Sequence, residues 1–351
     1  MPQYNDLKKR INAIREIRKM TKATGLISAV RMRDAREQEA ATHPFITHCA
    51  LTIAEIFKRS PDLIRKLLNF GDFDKNEPYP IKLYLLTGDK GLSGDFNDEI
   101  VKLAERLAGA RLKTLKEEGY QDVRIECKFC GKMGPDLLRS PELKVNRDFR
   151  FSIDHPSYYQ SMDLAELVYR EAKAREAAEI YFVYCRLDTA ITVEPGYTRI
   201  FPLDEEGMHW LSQSRAEREA ARKAKGEQRR RFDRDFSKAT GIRARRNDYE
   251  ERSIGAHGDD LLLPFAFAGD EDKVISYLVG TYLDALVYGL LTESYASEQL
   301  SRMTSMDAAT TNADSLLEEL IRERNRFRQK EITTEITEIV GGAEAIRKGE
   351  Q

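Results

Sequence analysis

Cysteine is scarce in this chain of 351 residues, which contains only Cys49, Cys127, Cys130 and Cys185. Four thiols are too few for a disulfide scaffold at this length, so a reducing compartment fits best. Cys127 and Cys130 form a CxxC pair, but no second CxxC accompanies it and no histidine stands at zinc-finger spacing from it. Because residues three apart on a strand point to opposite faces, two separate thiols are favoured over a redox pair.

Net charge is nearly absent as well. The chain has 57 basic and 59 acidic residues and a formal charge of -2. The molecule as a whole therefore has no bulk attraction to nucleic acid or to anionic lipid. Aromatic residues make up only 9% of the chain, whereas charged residues reach 33%. That balance suits long solvated helices better than an all-β sandwich or a compact enzyme core.

Long apolar runs and catalytic constellations are also missing. The most apolar stretch, 278–291, is shorter than the roughly 20 residues of a membrane span and contains Asp284, so we expect no bilayer-crossing segment. The opening residues MPQYNDLKKR carry charges where a signal peptide needs an apolar core, which favours an intracellular location. No Ser-His-Asp or Cys-His arrangement stands out, and we expect no catalysis, cofactor or metal in this chain.

Good helix formers dominate from Leu7 to about Lys58 and predict one long helix. Its heptad seam is apolar for two heptads and then turns polar or small. The seam positions are Tyr4, Leu7, Ile11, Ile14, Arg18, Thr21, Gly25 and Ser28. A shifted stripe of Ile17, Met20 and Ile27 is then expected to take over the packing, as when a helix changes neighbour or the coil slips register.

A second helical tract, Glu271 to Val340, contains no proline and begins with acidic residues, as a helix N-terminus prefers. At 1.5 Å per residue, about 70 residues would reach roughly 100 Å, which suits a shaft better than a globular domain. Gln329 and Thr333 lie one turn apart on one face near its end. Gly341 and Gly342 locally predict a helix stop. A neighbouring packing stripe consists of Ile332, Ile336 and Ile339 or Val340.

Strand-like and helical patterns alternate from about Pro80 to Phe201 and predict an α/β sheet covered by helices. Residues 191–203 are expected to add an edge strand or hairpin, with Pro195 and Gly196 marking a turn or bulge. The predicted strands are 81–87, 123–129 and 180–186, and the predicted helices are 99–118 and 161–178.

The two helical tracts lie at opposite ends of the chain and can pair antiparallel around the module between them. The predicted fold class is therefore α/β: a long antiparallel coiled coil of N- and C-terminal helices with an inserted Rossmann-like α/β domain. The predicted regions are an N-terminal helix at 1–60, the α/β domain at 80–203, a basic insertion or loop at 204–264 and a C-terminal helix at 270–345.

A glycine-rich turn, TGDKGLSGDFN at 87–97, follows a predicted strand and precedes a predicted helix. Its glycines allow a tight turn or a close approach to phosphate. The turn has no Gly-Lys-Ser/Thr ending and departs from the dinucleotide-binding spacing. A structural or contact turn is therefore favoured over a phosphate site.

The segment 213–252 holds 14 basic and 8 acidic residues and few apolar ones. Such a stretch buries little surface by itself. It could be a solvated insertion or a protein-binding arm, and less readily a nucleic-acid-binding element, because acidic residues are interleaved with the basic ones.

Four ordered stretches resemble the γ subunit of rotary F-type ATP synthases. LKKRINAIREIRKMTKATGLISAVRMRDA at 7–35 is similar to the first coil helix of that family, and the turn at 87–97 to its glycine-rich turn. GKMGPDLLRS at 131–140 matches a further turn. The tract 293–345, which ends in NRFRQKEITTEITEIVGGAEA, is similar to the family's C-terminal helix.

The resemblance implies a rotor in the central stalk that couples ion translocation to ATP synthesis or hydrolysis and itself makes no bonds. The implied partners are the catalytic α and β subunits, the ε subunit and the membrane c ring, without nucleic acid. Membrane association is implied only through partners, at the cytoplasmic face of the bacterial inner membrane. The rotary coupling contacts implied by motif position are Lys22, Arg302, Gln329, Thr333 and Glu335. The turn placed in the foot domain comprises Gly88, Asp89, Lys90, Gly91, Leu92 and Gly94.

One position and one segment of this chain depart from that family's pattern. Thr24 stands where the family usually has methionine, and about 204–264 is longer and more basic than the corresponding segment. A coiled-coil scaffold that binds nucleic acid or protein through 213–252 remains the alternative function.

Overall fold

The computed structural model describes residues 2–59, 73–187, 192–202 and 271–349. The chain divides into two compact units. The helical unit combines Met1–Val30 with Arg302–Gln351, and the sheet unit is Arg31–Ser301. The predicted basic insertion 204–264, including the segment 213–252, lies outside the described residues.

Both predicted terminal helices are present. Helix α1 spans Pro2–Arg59 and continues through Pro44, and helix α4 spans Glu271–Gly349. The helix stop predicted at Gly341 and Gly342 was wrong, because α4 runs through both glycines. Each glycine lowers helix propensity by about 1 kcal/mol relative to alanine, but the good helix formers that follow keep the chain helical.

The sheet unit alternates strands with helices, as the sequence pattern predicted. Its elements are β1 Tyr79–Leu86, α2 Phe96–Glu117, β2 Val123–Cys130, β3 Leu143–Val145, α3 Tyr158–Lys173, β4 Glu179–Leu187 and β5 Val193–Phe201. The sheet has the order β3-β2-β1-β4-β5. Strand β1 pairs in parallel with β2 and β4, and β2 pairs in parallel with β3.

Strand β5 is the predicted edge strand and pairs antiparallel with β4. The turn or bulge predicted at Pro195 and Gly196 was wrong, because both residues pair in regular register with β4. The register shift lies instead at Ile180/Tyr181. An edge strand tolerates a proline because one of its rows of N–H groups needs no partner strand.

Helix α3 begins three residues before its predicted start because a capping box precedes it. The Ser157 hydroxyl accepts a hydrogen bond from the Gln160 backbone N–H, and the Gln160 side chain accepts one from the Ser157 N–H. This reciprocal pair satisfies two of the N–H groups that a helix N-terminus leaves without a partner. The helix ends at Lys173, and Arg175 follows with φ 58°.

Each face of the sheet contributes to a different hydrophobic cluster. Alternate residues of β1 divide between the two faces: Ile81, Leu83 and Leu85 pack with α2, whereas Tyr84 and Leu86 pack with α3. The cluster on the α3 side of the sheet also contains apolar residues of both long helices. Those residues are Cys49, Ile53 and Ile56 of α1 and Ile275, Val279, Tyr282, Leu283, Val287, Leu290 and Leu291 of α4.

One stretch of α4 is long and apolar enough, by length and composition, to cross a membrane. It lies within Lys273–Gly341, and 44% of its most apolar window is buried inside the protein. Much of this apolar character belongs to the α4 residues that pack with α3 and the sheet.

A buried ionic cluster lies on the α3 side of the sheet. The Glu171 carboxylate pairs with Lys82 (Nζ to Oε1, 3.0 Å) and with Lys128, and it accepts a hydrogen bond from the Tyr84 hydroxyl at 2.7 Å. Burial alone would raise the pKa of Glu171, but its hydrogen bonds to Lys128, Tyr84 and Lys82 outweigh burial and hold that pKa below its ordinary value. Lys82 also pairs with Glu176, whose side chain is 61% exposed.

We predict that Glu171→Gln lowers the free energy of unfolding by about 3 kcal/mol at pH 7, because two buried ammonium groups lose their carboxylate. The lowered pKa of Glu171 means that its stabilisation is complete above the unfolded-state pKa and is lost as pH falls through the folded-state pKa. Urea unfolding between pH 7 and pH 3 should therefore show the difference between wild type and variant narrowing below about pH 4.5.

The matched control for this prediction is Glu176→Gln, which removes the exposed partner of the same lysine. It should change the unfolding free energy by less than about 1 kcal/mol because solvent screens the pair. Equal effects of the two variants, or a difference from wild type that stays constant down to pH 3, would contradict the assigned role of Glu171.

Candidate functional site

Cys127 and Cys130 lie on opposite faces of β2, as predicted from their spacing. Cys127 belongs to the cluster under α2 and Cys130 to the cluster under α3. Both thiols are free and buried. Burial raises the pKa of Cys127 to about 12 and also raises that of Cys130. Two thiols on opposite faces of one strand cannot act as a vicinal pair. Within the described ranges, no group of three or more His, Cys, Asp or Glu side chains is arranged to hold a metal.

The glycine-rich turn connects β1 to α2 and is held by hydrogen bonds to the Gly88 backbone. The Gly88 N–H donates to the Asn97 side-chain oxygen at 2.8 Å. The Gly88 carbonyl accepts from the N–H groups of Lys132 and Met133 at 3.1 and 3.0 Å. Because the Gly88 amide already donates to Asn97, it is not free to cradle a phosphate.

Asp89 connects this turn to the loop before α3. One of its carboxylate oxygens accepts from the Ser152 hydroxyl at 2.6 Å, the Ile153 N–H at 2.9 Å and the Asp154 N–H at 3.2 Å. Lys90 pairs with the Asp154 carboxylate. Burial would raise the pKa of Asp154, but Lys90 outweighs it and lowers that pKa. Two acidic side chains thus fix the position of the turn.

Helix α4 covers the carboxyl end of β1. The Ser294 hydroxyl donates to the Leu86 carbonyl at 3.2 Å, and the buried Glu298 carboxylate lies so close to Gly88 that a Cβ there would clash with it. The carboxyl ends of parallel strands are the usual ligand-binding place in open α/β sheets. In this chain α4 occupies the carboxyl end of β1 beside Gly88. This favours a contact turn over a phosphate site.

The outer part of the turn faces solvent. Leu92 is 68% exposed and has φ 67°, and Gly94 has φ 58°. Lys90 is also exposed, whereas Asp89 and Gly91 are half-buried. The residues predicted to form one foot-domain turn therefore do lie together, with Leu92 and Lys90 accessible. Their role in contact with a partner stays a prediction.

A glycine is needed at position 131, where the turn at 131–140 approaches the glycine-rich turn at 87–97. Its φ is +106°, and a Cβ there would fall within covalent-scale distance of the Thr87 carbonyl.

We predict that Gly131→Ala lowers the free energy of unfolding by about 3 kcal/mol through left-handed strain and overpacking. Gly109→Ala is the control, because its Cβ meets nothing within 4 Å in the exposed face of α2. It should stabilise the chain by about 0.5–1 kcal/mol in the same urea titration. Equal effects of the two variants would contradict this account.

In the helical unit, α1 and α4 pair antiparallel through an apolar contact at one end. Leu7 and Ile11 pack on Leu317 and Leu320 and are buried. Ile14, Ile321 and Phe327 pack partly against them. The apolar half of the predicted heptad seam is therefore the half that forms a core.

The same seam continues through polar and small residues. Arg18 pairs with Asp314, and the hydroxyls of Thr21 and Thr310 are 2.7 Å apart. A Cβ on Gly25 would lie 3.4 Å from Met306 Cβ, so the helices approach closely there. The apolar part of the seam thus ends after two heptads, as predicted, and polar and small residues continue the helix pairing.

Ile17, Met20 and Ile27 do not take over the packing within this chain. These side chains are 46%, 66% and 53% exposed. They lie off the seam that α1 shares with α4. Along that seam the helices are held together by the Arg18–Asp314 pair and the contact between Thr21 and Thr310. Sequence periodicity identified the stripe, but it could not indicate that the stripe faces away from its own chain. We call Ile17, Met20 and Ile27 the apolar stripe of α1.

The predicted coupling residues divide into exposed and buried ones. Lys22, Gln329, Thr333 and Glu335 are exposed, whereas Arg302 is only 6% exposed and interacts within the chain. The Thr333 hydroxyl donates to the Gln329 carbonyl at 2.8 Å, one turn away as the sequence spacing predicted. Their role as contacts stays a prediction.

The end of α4 exposes a second apolar stripe. Ile332, Ile336, Ile339 and Val340 are 44%, 57%, 71% and 56% exposed. Large aliphatic side chains at helical spacing are unfavourable in water, because full burial of one such side chain contributes about 1.5–3 kcal/mol of free energy. Two exposed stripes in one helix pair indicate a surface that meets another molecule.

Known proteins are similar in sequence to this chain along nearly its whole length. The sequence profile of the family described as ATP synthase matches residues 3–346. The ATP synthase gamma chain of Acetivibrio thermocellus is 30% identical over 349 residues, covering 99% of this chain and 100% of the relative. That of Ruminiclostridium cellulolyticum is 29% identical over 344 residues, covering 97% and 98%. Neither relative supports the nucleic-acid scaffold.

Among solved structures, a chain of the Euglena gracilis mitochondrial ATP synthase, in its OSCP, F1 and c-ring assembly in rotational state 3, has a similar fold. The TM-score is 0.53 at 12% identity, with 100% of this chain and 96% of that chain covered. At this identity the likeness concerns the fold alone.

Proposed function

Because the chain belongs to the ATP synthase gamma chain family, we propose that it is the central-stalk rotor subunit of a rotary F-type ATP synthase. In that role it couples ion translocation through a membrane sector to ATP synthesis or hydrolysis in a catalytic ring. The observation that carries the proposal is the family match over residues 3–346, which includes both long helices and the sheet unit.

The proposed partners are the catalytic α and β subunits, the ε subunit and the c ring. The chain would associate with the membrane through these partners, at the cytoplasmic face of a bacterial inner membrane. The catalytic chemistry belongs to the partners and this chain is the non-catalytic subunit. The occupied Gly88 amide and the placement of Glu298 against Gly88 support this division, because they leave the turn unsuited to nucleotide.

The helical unit supports contact with the catalytic ring. The apolar stripe of α1 faces out on one side, and Lys22 is exposed next to it in sequence. At the other end of the unit's sequence, α4 exposes Gln329, Thr333 and Glu335 among its own isoleucines. Apolar side chains supply contact energy, and charged or hydroxyl groups between them supply specificity.

Rotation would then act through differential contact. A ring of similar catalytic subunits meets different faces of one asymmetric helix pair, so each subunit is stabilised in a different conformation. A rotor can shift those conformations only by the difference in its contact energy with them. The exposed side chains of α1 and α4, rather than any reacting group, would carry that difference.

The direct test of the proposal is co-expression of the tagged chain with α, β and ε subunits, followed by identification of the subunits in the purified complex. We expect α and β to co-purify with the chain. Deleting residues from Gln329 onward should then lower ATP-driven ion uptake per ATP hydrolysed in reconstituted vesicles. Recovery of the chain without α and β, or unchanged coupling after the deletion, would overturn the proposal.

We further predict that Met20→Asp weakens association with the catalytic subunits by roughly tenfold or more, because a charge replaces an exposed apolar contact. The free chain should keep its unfolding free energy within about 0.5 kcal/mol, since the side chain is largely solvated. Met20→Leu is the control, because it keeps the apolar area. The affinity for the purified ring, measured alongside urea unfolding, checks this. Wild-type affinity of Met20→Asp would remove the apolar stripe of α1 from the proposed interface.

A further inference from the structure

The sheet unit exposes a group of aromatic side chains that the coupling contacts do not use. Tyr159 is 80% exposed and Tyr158 is 40% exposed at the start of α3, and Tyr277 is 78% exposed near the start of α4. Met162 and Val274 are exposed on the same two helices, at 39% and 42%. We call these five residues the tyrosine surface.

The two helices contact each other beside this surface. The rings of Tyr158 and Tyr288 meet edge to face with centroids 5.7 Å apart. Tyr158 also lies within electrostatic reach of Tyr277 and Asp284, which contribute, after burial, to raising its pKa. Tyr277, Asp284 and Tyr288 recur at helical spacing along α4, so they share one face of that helix.

Two carboxylates lie near these rings. Asp284 is half-buried, and burial and then the charge of Glu166 raise its pKa. Glu166 is exposed and lies one turn beyond Met162. Among the described residues, no ion pair joins either carboxylate to a lysine, arginine or histidine. The two like charges therefore repel each other beside exposed aromatic rings.

We propose that the tyrosine surface is the docking site for another protein subunit of the assembled complex, one that presents an arginine flanked by apolar side chains. A guanidinium group matches both features of the surface. It stacks on tyrosine faces, and it pairs with carboxylates. Charge complementarity selects it over an acidic partner, because a carboxylate brought here would add to the repulsion between Asp284 and Glu166.

Tyrosine suits such a contact energetically. Each ring supplies a large contact area at the cost of two side-chain torsions, and tyrosine and arginine are both enriched in the residues that dominate interface energies. Tyr159, Tyr277 and their neighbours would remain solvated until the partner covers them. The inference rests on the proposed function, since it takes the occupant to be a subunit of the assembled complex.

The test uses the full chain in its complex, with a photo-crosslinking phenylalanine derivative placed at Tyr159 or Tyr277. Tyr197 is the matched control, because it is a tyrosine of the same unit, 52% exposed on β5 and remote in sequence from α3 and α4. We expect positions 159 and 277 to crosslink to one and the same other subunit, at a peptide that contains arginine. Position 197 should not label that peptide.

A charge test accompanies the crosslinking. Replacing both carboxylates, by Asp284→Asn with Glu166→Gln, should lower the crosslink yield roughly tenfold, and raised salt should lower it in the unmodified chain. Circular dichroism melting of the free chain verifies that the double variant is folded. A yield unaffected by both changes would overturn the assignment of an arginine-bearing partner.

Other outcomes overturn the docking site itself. These are crosslinks back to this chain, crosslinks to lipid, labelling of an acidic peptide, or labelling no stronger than at Tyr197. A complex that contains α and β subunits but gives one of these results would sink the tyrosine surface alone. A chain that fails to co-purify with α and β would instead overturn the proposed function, whatever its crosslinks.

Discussion

The register between α1 and α4 in the helical unit is the constraint on which its other features depend. Arg18 meets Asp314, Thr21 meets Thr310, and Gly25 admits Met306 at close range. The Arg18–Asp314 pair is partly exposed and contributes only about 0.2–1 kcal/mol, so its value lies in alignment more than in stability. A slip of one turn would separate these polar partners and place a Cβ where the helices need glycine. Once this alignment is set, it decides which side chains face out.

The sheet unit has its own constraint, which is the burial of β1 on both faces. Its alternate residues supply two separate clusters, so even Lys82 lies where a core residue would be expected. Glu171 makes that position tolerable by pairing with Lys82 and Lys128 together. A similar arrangement occurs at Glu179, whose carboxylate accepts hydrogen bonds from Arg111, Tyr79 and Tyr181. Each of these two buried carboxylates is thus matched by several donors, as low-dielectric surroundings require.

Periodicity and composition were sufficient to predict the large elements of this fold. They indicated both terminal helices, the alternation of strands and helices, the edge position of β5 and the opposite faces of Cys127 and Cys130. These features follow from local geometry, because helical and strand periods can be recognised within a few residues. The early start of α3 could have been found as well, since Ser157 and Gln160 stand at capping-box spacing.

Other features could not be predicted because they depend on groups distant in sequence. Gly341 and Gly342 favour a stop, yet a glycine ends a helix only if the chain turns away there. The apolar stripe of α1 was expected to pack because a hydrophobic period reports only that side chains share a face. It does not report whether the same chain covers that face. Likewise, the position of Glu298 against Gly88 joins residues 210 apart in sequence, and no local pattern of the turn indicates it.

The exposed apolar side chains of the helical unit have a consequence for the subunit outside any assembly. Ile17, Met20 and Ile27 on α1, and the isoleucines near the end of α4, remain exposed to water after the helix pair has folded. A copy made in excess of its partners can bury them only against another copy or a foreign surface. Folding to completion therefore does not protect this chain from self-association. Its solubility depends on the stoichiometry with which the subunits are synthesised.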